Sequence, residues 1–557
     1  MDPSCDQLSP RTRGRPPKKW PPIFSESRKS PNDSPWVDLL RAYDPLYDGV
    51  QLFMQQYVGD AASLHVTNVI HFCRNVRPRD FNGQMKLKGT GWLDERPVPC
   101  LTALGDHIEH MSILQQPSGS TPPVARGQSE NLRARELHGL LRRKRFDNED
   151  YEDADRRLVY IANPDPYDIQ ALTETTAYHQ AFAVQELLWK YLARQTALNV
   201  KIPSKGWRIF QMELHLFYHT LRGGEHHDFH GTYNDVGQST HWDLSFLGPE
   251  DEECNWRMEE AQFSLVICGS DNARWAAYSL DHTGSDIDRE RGVDEQLPYR
   301  RSDPIAMGSI DADKPIGDAR EYFLTIVFIR MQNYCNETRD LVEAFKRSYT
   351  QRLGVGLSNS APGSHGAVTP IWVESMLHHL SMLAPNVART NATWLRFASG
   401  GRDIDYFTDH STLSSQTKEY MQGILDAMDT ITDDLETFEI DLRRLQDECK
   451  ELRERLGFRM SSQGSRISQF TMMYISPVLV VASVFAIPDQ ITFFKRNTLS
   501  FILSIGVVMM LLYSLLSFKV AQRCHNWWAR AATWAQNVWL RHGVLIAREG
   551  SESPIGV

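Results

Sequence analysis

Metal-ligating side chains are concentrated in a histidine-rich stretch between positions 223 and 230, Gly-Gly-Glu-His-His-Asp-Phe-His. His226 and His230 would share one face if this stretch were helical, and Asp228 or Glu225 could complete a site for zinc or another transition metal. The glycines before them and the Gly-Thr-Tyr-Asn-Asp that follows favour a loop, in which such a geometry is not preset. The stretch is therefore interpreted either as a weak metal site or as a solvated loop between strands.

A run of seven carboxylates between positions 426 and 441, with no Lys or Arg among them, is the second candidate site. This acidic row consists of Asp426, Asp429, Asp433, Asp434, Glu436, Glu439 and Asp441. Carboxylates on one helix repel one another, and hard divalent cations such as Mg²⁺ relieve that repulsion. The alternative is the solvated exterior of a coiled coil, because four of the seven fall at outer heptad positions.

The acidic row lies on a segment whose apolar residues recur every three or four positions. This apolar seam consists of Met421, Ile424, Met428, Ile431, Leu435, Phe438, Leu442, Leu445, Cys449, Leu452 and Leu456. An average spacing of about 3.5 residues keeps one helix face turned toward partner helices, as in a coiled coil. We therefore predict a long stalk helix over 411–466 that packs against other helices.

Two uncharged apolar runs follow the stalk, at 470–487 and 498–518. At about 1.5 Å per residue they span roughly 27 and 32 Å, close to the thickness of a bilayer's hydrocarbon core. They predict a transmembrane hairpin over 467–518, and the alternative is two buried helices of a soluble domain. Basic residues flank both outer ends, so both termini are predicted to be cytosolic in an integral, multi-pass membrane protein. The tail at 519–557 is basic and rich in Trp.

Composition excludes several other functional classes. The 557 residues carry a net charge of −10, so no general nucleic-acid partner is expected. Eight cysteines without a Cys-x-x-Cys pair indicate free thiols in a reducing compartment. We find no phosphate-binding loop, no Gly-x-Ser-x-Gly and no His-Glu-x-x-His, and therefore predict that the chain is not an enzyme.

The remainder of the chain divides into four predicted regions. They are a disordered basic tail at 1–35, a globular segment at 36–114, a linker at 115–156 and an α/β cytosolic domain at 157–410. Residues 13–19 of the tail, Arg-Gly-Arg-Pro-Pro-Lys-Lys, match an AT-hook weakly, and a solvated basic tail is the alternative. Within the globular segment, residues 64–72 are predicted to form a strand.

Together these features resemble the CorA-type magnesium channel superfamily, and most of all its divergent fungal CorA-like membrane proteins. The resemblance covers roughly residues 157–520. It rests on the stalk, on two closely spaced C-terminal spans, and on Pro477 followed by the hydrophobic stretch that ends at Phe485. Where the family has Gly-Met-Asn at the outer pore mouth, this chain has Ala486, Ile487 and Pro488.

The resemblance implies a homo-oligomer of five chains in a lipid bilayer, with the first spans lining a pore for Mg²⁺ or another divalent cation. No cofactor is implied beyond that cation as substrate or regulator. Polar or soft residues spaced along the first span and the external loop predict a pore path: Gln469, Met473, Ser476, Ser483, Asp489 and Gln490.

Two functions from different classes follow. The first is a CorA-like divalent cation transporter whose stalk carboxylates sense the cation. The second is a non-conducting, membrane-anchored sensor or scaffold that retains the fold without the filter. A soluble DNA-binding protein is a distant third interpretation.

Overall fold

The computed structural model describes residues 17–28, 33–42, 49–55, 63–76, 90–97, 124–206, 208–223, 241–248, 256–282, 302–358, 368–409, 413–471 and 475–486, together with 498, 501–508, 510 and 514. The chain divides into two compact units, the first ending at Lys450 and the second beginning at Glu451. The first unit holds an α/β domain and most of a long helix.

One mixed sheet is the centre of the first unit. Its strands are β1 (Gly91–Arg96), β2 (Gln128–Leu132), β3 (Arg156–Ala162), β4 (Ala197–Lys201), β5 (Phe210–Arg222), β6 (His241–Asp243), β7 (Arg257–Gly269) and β8 (Trp275–His282). They lie in the order β2-β1-β3-β8-β7-β5-β4, and β6 pairs with the beginning of β7. All pairs are antiparallel except β3 with β8. The longest ladder joins β5 to β7 in continuous register, from Phe210 opposite Gly269 to Arg222 opposite Arg257.

Short helices cover one face of the sheet. They are α1 (Trp36–Arg41), α2 (Gly49–Gln55), α3 (Ser63–Phe72), α4 (Ala134–Leu141), α5 (Pro166–Thr175) and α6 (Tyr178–Leu192). A single hydrophobic core joins α2, α3, α5 and α6 to β3, β7 and β8. Helix α5 begins at a capping box in which Asp165 accepts hydrogen bonds from the backbone amides of Tyr167 and Asp168.

Long helices follow the sheet in the chain. They are α7 (Ala319–Ser358), α8 (Pro370–Ala398), the single turn α9 (Asp405–Thr408), α10 (Ser415–Phe470) and α11 (Ser476–Phe485). Helix α7 packs against β5 and β7, and α8 packs against β4 and β5. A mixed α/β domain followed by long helices is what the sequence predicts. The helix predicted as the stalk is observed as α10.

Three predictions from the sequence are wrong. Residues 63–72 form helix α3 and not a strand, because tertiary packing overrides the strand propensity of this short apolar run. Within the predicted linker, residues 124–156 are folded, contribute β2 and α4, and bury the Arg145 side chain. Within the predicted disordered tail, residues 17–28 lie against the domain and bury Trp20 and Phe24.

None of the helices among the described residues is both long and apolar enough to cross a membrane. Helix α11 is apolar but covers only 476–485 of the first predicted span. The rest of the predicted hairpin lies largely outside the described residues, so the hairpin stays a prediction.

Candidate functional site

From Met421 to Cys449, the apolar seam of α10 is buried inside the chain's own fold. Met421, Met428, Leu435, Leu442 and Cys449 are fully buried, and the seam residues between them are nearly so. Helix α7 of the same chain contacts α10 at Phe438 and Asp441, and α8 approaches α10 at Leu442. Because of this, the seam by itself does not require partner helices from other copies, in contrast to an intermolecular coiled coil.

Specific contacts show how α10 meets these helices. The side chain of Leu442 borders a cavity of about 10 Å³ together with Leu341 of α7, Leu383 of α8 and Tyr218 of β5. That volume is close to the least that holds one water molecule. The Arg339 guanidinium of α7 lies 5.7 Å from the ring centre of Phe438. Buried apolar side chains therefore attach α10 along its length up to the end of the first unit.

Three carboxylates of the acidic row have basic partners. Asp434 accepts from Arg339 at 2.7 Å and Asp441 pairs with Lys346 at 2.5 Å, both across the contact between α7 and α10. Glu439 pairs with Arg443 one turn further along α10, at 2.6 Å. The two interhelical pairs are seven residues apart on both helices, so they repeat with the heptad. The expectation that the whole row is uncompensated is therefore wrong for these three residues.

The other four carboxylates, Asp426, Asp429, Asp433 and Glu436, are exposed. We call them the exposed quartet. Their spacing of three, four and three residues places them on one face of α10. Asp426 accepts a hydrogen bond from Gln422 at 2.8 Å. Nowhere in the described chain do three or more His, Cys, Asp or Glu side chains come together as a metal site.

The remaining predicted site residues are only partly within the described chain. His226, His230, Met473, Asp489 and Gln490 lie outside the described residues. Gln469 lies in α10 and Ser476 begins α11. Ser483 is exposed on α11 and donates a hydrogen bond to the Val480 carbonyl at 2.8 Å. The proposed pore path therefore stays a prediction.

A buried ionic cluster that the sequence analysis missed lies between α6 and the sheet. It consists of Glu186 and Lys190 from α6, Lys201 from β4 and Glu213 from β5. Lys190 Nζ lies 2.5 Å from Glu186 and 2.7 Å from Glu213, and Lys201 Nζ lies 2.9 Å from Glu186. The cluster holds two positive and two negative side chains, so its formal charges cancel.

Neighbouring groups set the protonation of this cluster. Burial alone would raise the pKa of Glu213, but His215 and the two lysines outweigh burial and hold that pKa well below its usual value. Burial lowers the pKa of His215 despite the nearby Glu213, so its imidazole is neutral at pH 7. The Asn199 amide adds a hydrogen bond to Glu213 at 3.0 Å. Glu213 is therefore ionised and fully partnered, which indicates a structural role.

The signal for this cluster was present in the sequence of β5. Gln211, Glu213 and His215 alternate with Met212 and Leu214, so the polar residues share one face of the strand. Sequence alone could not show that this polar face is covered, because solvated strand faces carry the same pattern.

Of the described cysteines, Cys268, Cys335 and Cys449 are buried free thiols, and Cys73 is buried with its thiol donating to the Pro166 carbonyl at 3.8 Å. Burial raises the pKa of Cys335 to about 11 and that of Cys449 to about 12. The Cys335 and Cys449 thiols are therefore protonated at neutral pH and are poor nucleophiles and poor metal ligands.

Comparison with known proteins gives weak similarities. No family model matches the chain, and no curated protein matches it. The full-length CmaX protein covers 65% of this chain and 88% of its own length, at 13% identity and a TM-score of 0.31. The CorA magnesium transporter from Methanocaldococcus jannaschii covers 66% of this chain and 91% of its own length, at 9% identity and a TM-score of 0.29. Similarity at these TM-scores does not establish a shared fold.

Proposed function

We propose that this chain is a CorA-like divalent cation transporter, anchored in a lipid bilayer by a C-terminal hairpin with both termini in the cytosol. The observation that carries the proposal is the course of α10, which continues without interruption from Ser415 to Phe470. Phe470 is the first residue of the first predicted span. A helix of this length links an α/β domain to the predicted pore segment, as the sequence resemblance implies.

The pore residues of this proposal are Gln469, Met473, Ser476 and Ser483, with Asp489 and Gln490 at the outer mouth. Five copies would surround the path, and the oligomer would form through surfaces other than the apolar seam. An acidic ring at Asp489 would attract a hydrated cation where the family motif is replaced by Ala486, Ile487 and Pro488.

Cation flux through the purified full-length protein in liposomes tests the proposal. We expect influx of Mg²⁺, Co²⁺ or Ni²⁺ above that of empty liposomes, and a several-fold loss for Asp489→Asn. Asp447→Asn, a change of the same charge on the exposed face of α10, is the matched control and should conduct like the parent. Equal cation flux through Asp489→Asn and the parent would show that Asp489 does not act at the pore.

The second candidate function is a non-conducting membrane-anchored sensor or scaffold. Ala486 and Ile487 offer no polar side chain and Pro488 lacks an N–H, and this departure from Gly-Met-Asn favours it. If the protein is correctly inserted and the liposomes take up none of the three cations above background, this function is supported over transport.

We further propose that the exposed quartet on α10 senses the cation. Binding there would be weak and shared between side chains, because the described chain has no grouped metal site. We expect Mg²⁺ to slow proteolysis of the parent, and less so after Asp426, Asp429, Asp433 and Glu436 are changed to Asn or Gln. Asp434→Asn, which loses the pair to Arg339 but keeps the quartet, is the control. Equal protection from proteolysis by Mg²⁺ in the parent, the quartet variant and the control would show that the quartet is only a solvated face.

A further inference from the structure

The N-terminal strap, residues 17–28, bridges two distant parts of the α/β domain. One end of the strap contacts the hinge loop, residues 399–409, which follows α8 and contains α9. The other end contacts the turn between β7 and β8. The hinge loop and this turn are far apart in sequence, and the strap contacts both of them.

The hinge loop recognises the backbone of the strap. The Lys18 and Trp20 amides donate to the carboxylates of Asp405 and Asp409, at 2.9 and 3.0 Å. Lys18 Nζ lies 2.5 Å from Asp403, whose other carboxylate oxygen accepts from the Val200 amide of β4 at 2.8 Å. Asp403 therefore ties the strap, the hinge loop and the edge strand of the sheet together.

Two aromatic rings anchor the middle of the strap. Trp20 and Phe24 are fully buried and both lie 5.3 Å from the Phe210 ring at the start of β5. The Trp20 ring also lies 5.9 Å from that of Tyr406 in the hinge loop, and its indole N–H donates to the Asn272 side chain at 3.0 Å. The same two rings therefore contact the sheet, the turn and the hinge loop.

The far end of the strap is fastened to the turn. The Arg28 amide donates to Asp271 at 3.1 Å, and its guanidinium donates to the Ser270 carbonyl at 2.9 Å. The Asn272 amide donates to the Phe24 carbonyl at 2.8 Å.

The strap contacts the beginning of α7, and α7 in turn contacts the beginning of α10. The Arg320 guanidinium near the start of α7 lies 4.9 Å from the Trp20 ring and donates to the Tyr406 carbonyl at 3.3 Å. In the first turn of α10, Thr417 donates to Glu321 of α7 at 3.3 Å. A displacement of the strap would therefore loosen the hinge loop and the α7 residues next to the first turn of α10.

We propose that the N-terminal strap is a latch that fixes the hinge loop, and with it the start of α10, to the edge of the sheet. The strap is held by three carboxylates, those of Asp403, Asp405 and Asp409. They pair with the Lys18 ammonium group and accept hydrogen bonds from two backbone amides of the strap. The proposal concerns the cytosolic domain alone and does not depend on whether the chain transports cations.

Hydrogen–deuterium exchange of the full-length protein tests the latch. Lys18→Glu places a negative charge among three aspartates, and we expect exchange to rise about tenfold in both the strap and the hinge loop. Lys18→Arg should stay near the parent. Lys19→Glu, with the same charge change at the exposed neighbouring residue, is the matched control and should also leave the hinge loop unchanged.

A second variant, Trp20→Ala, removes the aromatic anchor and should raise hinge-loop exchange further than Lys18→Glu. Faster exchange in the strap with an unchanged hinge loop would overturn the proposal, because the strap would then be attached without latching anything. An equal rise across β5 and β7 would also overturn it, since the strap would then be an ordinary part of the core.

Discussion

Charged side chains are partnered in two different ways in this molecule, in the cluster beneath α6 and along α10. Beneath α6, Glu213 and Glu186 are almost inaccessible and each contacts two lysines within 3.4 Å. Along α10, Asp434 and Arg339 are each 43% exposed and form a single pair. Burial makes an unpartnered charge very costly, whereas water stabilises the exposed quartet without any partner. In these two groups, the buried carboxylates have several basic partners, whereas the exposed carboxylates have one or none.

The comparison implies that α10 is attached by apolar contacts and not by its ion pairs. We expect Leu435→Asp to cost more than about 5 kcal/mol of unfolding free energy, because a cavity cost of about 2–5 kcal/mol adds to the burial of a carboxylate. Chemical denaturation measures it. Ile440→Asp, at an exposed position of the same helix, is the control. A folded monomer after Leu435→Asp would show that the seam is covered by another copy and not by α7 and α8.

The buried ionic cluster gives the next largest effect. Glu213→Gln leaves Lys190 buried with one carboxylate fewer, and breaking a buried pair in this way costs about 3–5 kcal/mol. The midpoint of urea denaturation, with the slope unchanged, measures the loss. A loss of unfolding free energy below about 1 kcal/mol would show that this buried cluster contributes no more than an exposed ion pair.

We expect acid to lower the free energy of unfolding through titratable groups on the sheet. Burial lowers the pKa of His219 to about 4, so the unfolded chain takes up this proton near pH 6.5 and the folded chain does not. The stability contributed by neutral His219 is therefore complete above about pH 6.5 and is lost as the pH falls toward 4. Its loss amounts to about 3 kcal/mol. Glu213, whose pKa is lowered, adds acid sensitivity below about pH 4.5.

Thermal denaturation between pH 7 and pH 4 measures this dependence. We expect His219→Gln to flatten the slope in that range, whereas His378→Gln, at an exposed position of α8, should keep the slope of the parent. Identical slopes in the parent and in His219→Gln would contradict a buried neutral imidazole.

The smallest effect is expected at the surface pair of α10. Asp434→Asn removes the pair with Arg339, and exposed pairs contribute roughly 0–1 kcal/mol. The same denaturation experiment, repeated in high salt, should show that even this difference shrinks. A loss comparable to that of Glu213→Gln would mean that exposure does not separate the two groups of charges.

The sequence predicted the class of the fold because periodicity is a local property. The three-and-four spacing from Met421 to Cys449 determined that α10 is a long helix with one buried face. The alternation of Gln211, Glu213 and His215 with Met212 and Leu214 in β5 is a local property of the same kind. The acidic row was also visible, since the type and spacing of charged residues need no tertiary structure.

Only the tertiary structure decided which partners those faces and charges have. A heptad pattern requires partner helices but does not say whether they belong to the same chain, and here α7, together with α8 near Leu442, supplies the contacts. Arg339 and Lys346 lie about 95 residues before the carboxylates they neutralise. Trp20 and Phe24 lie in a tail too polar to predict a core, and their burial depends on Phe210 and Tyr406. Such pairings arise from long-range packing, which residue type and local spacing do not encode.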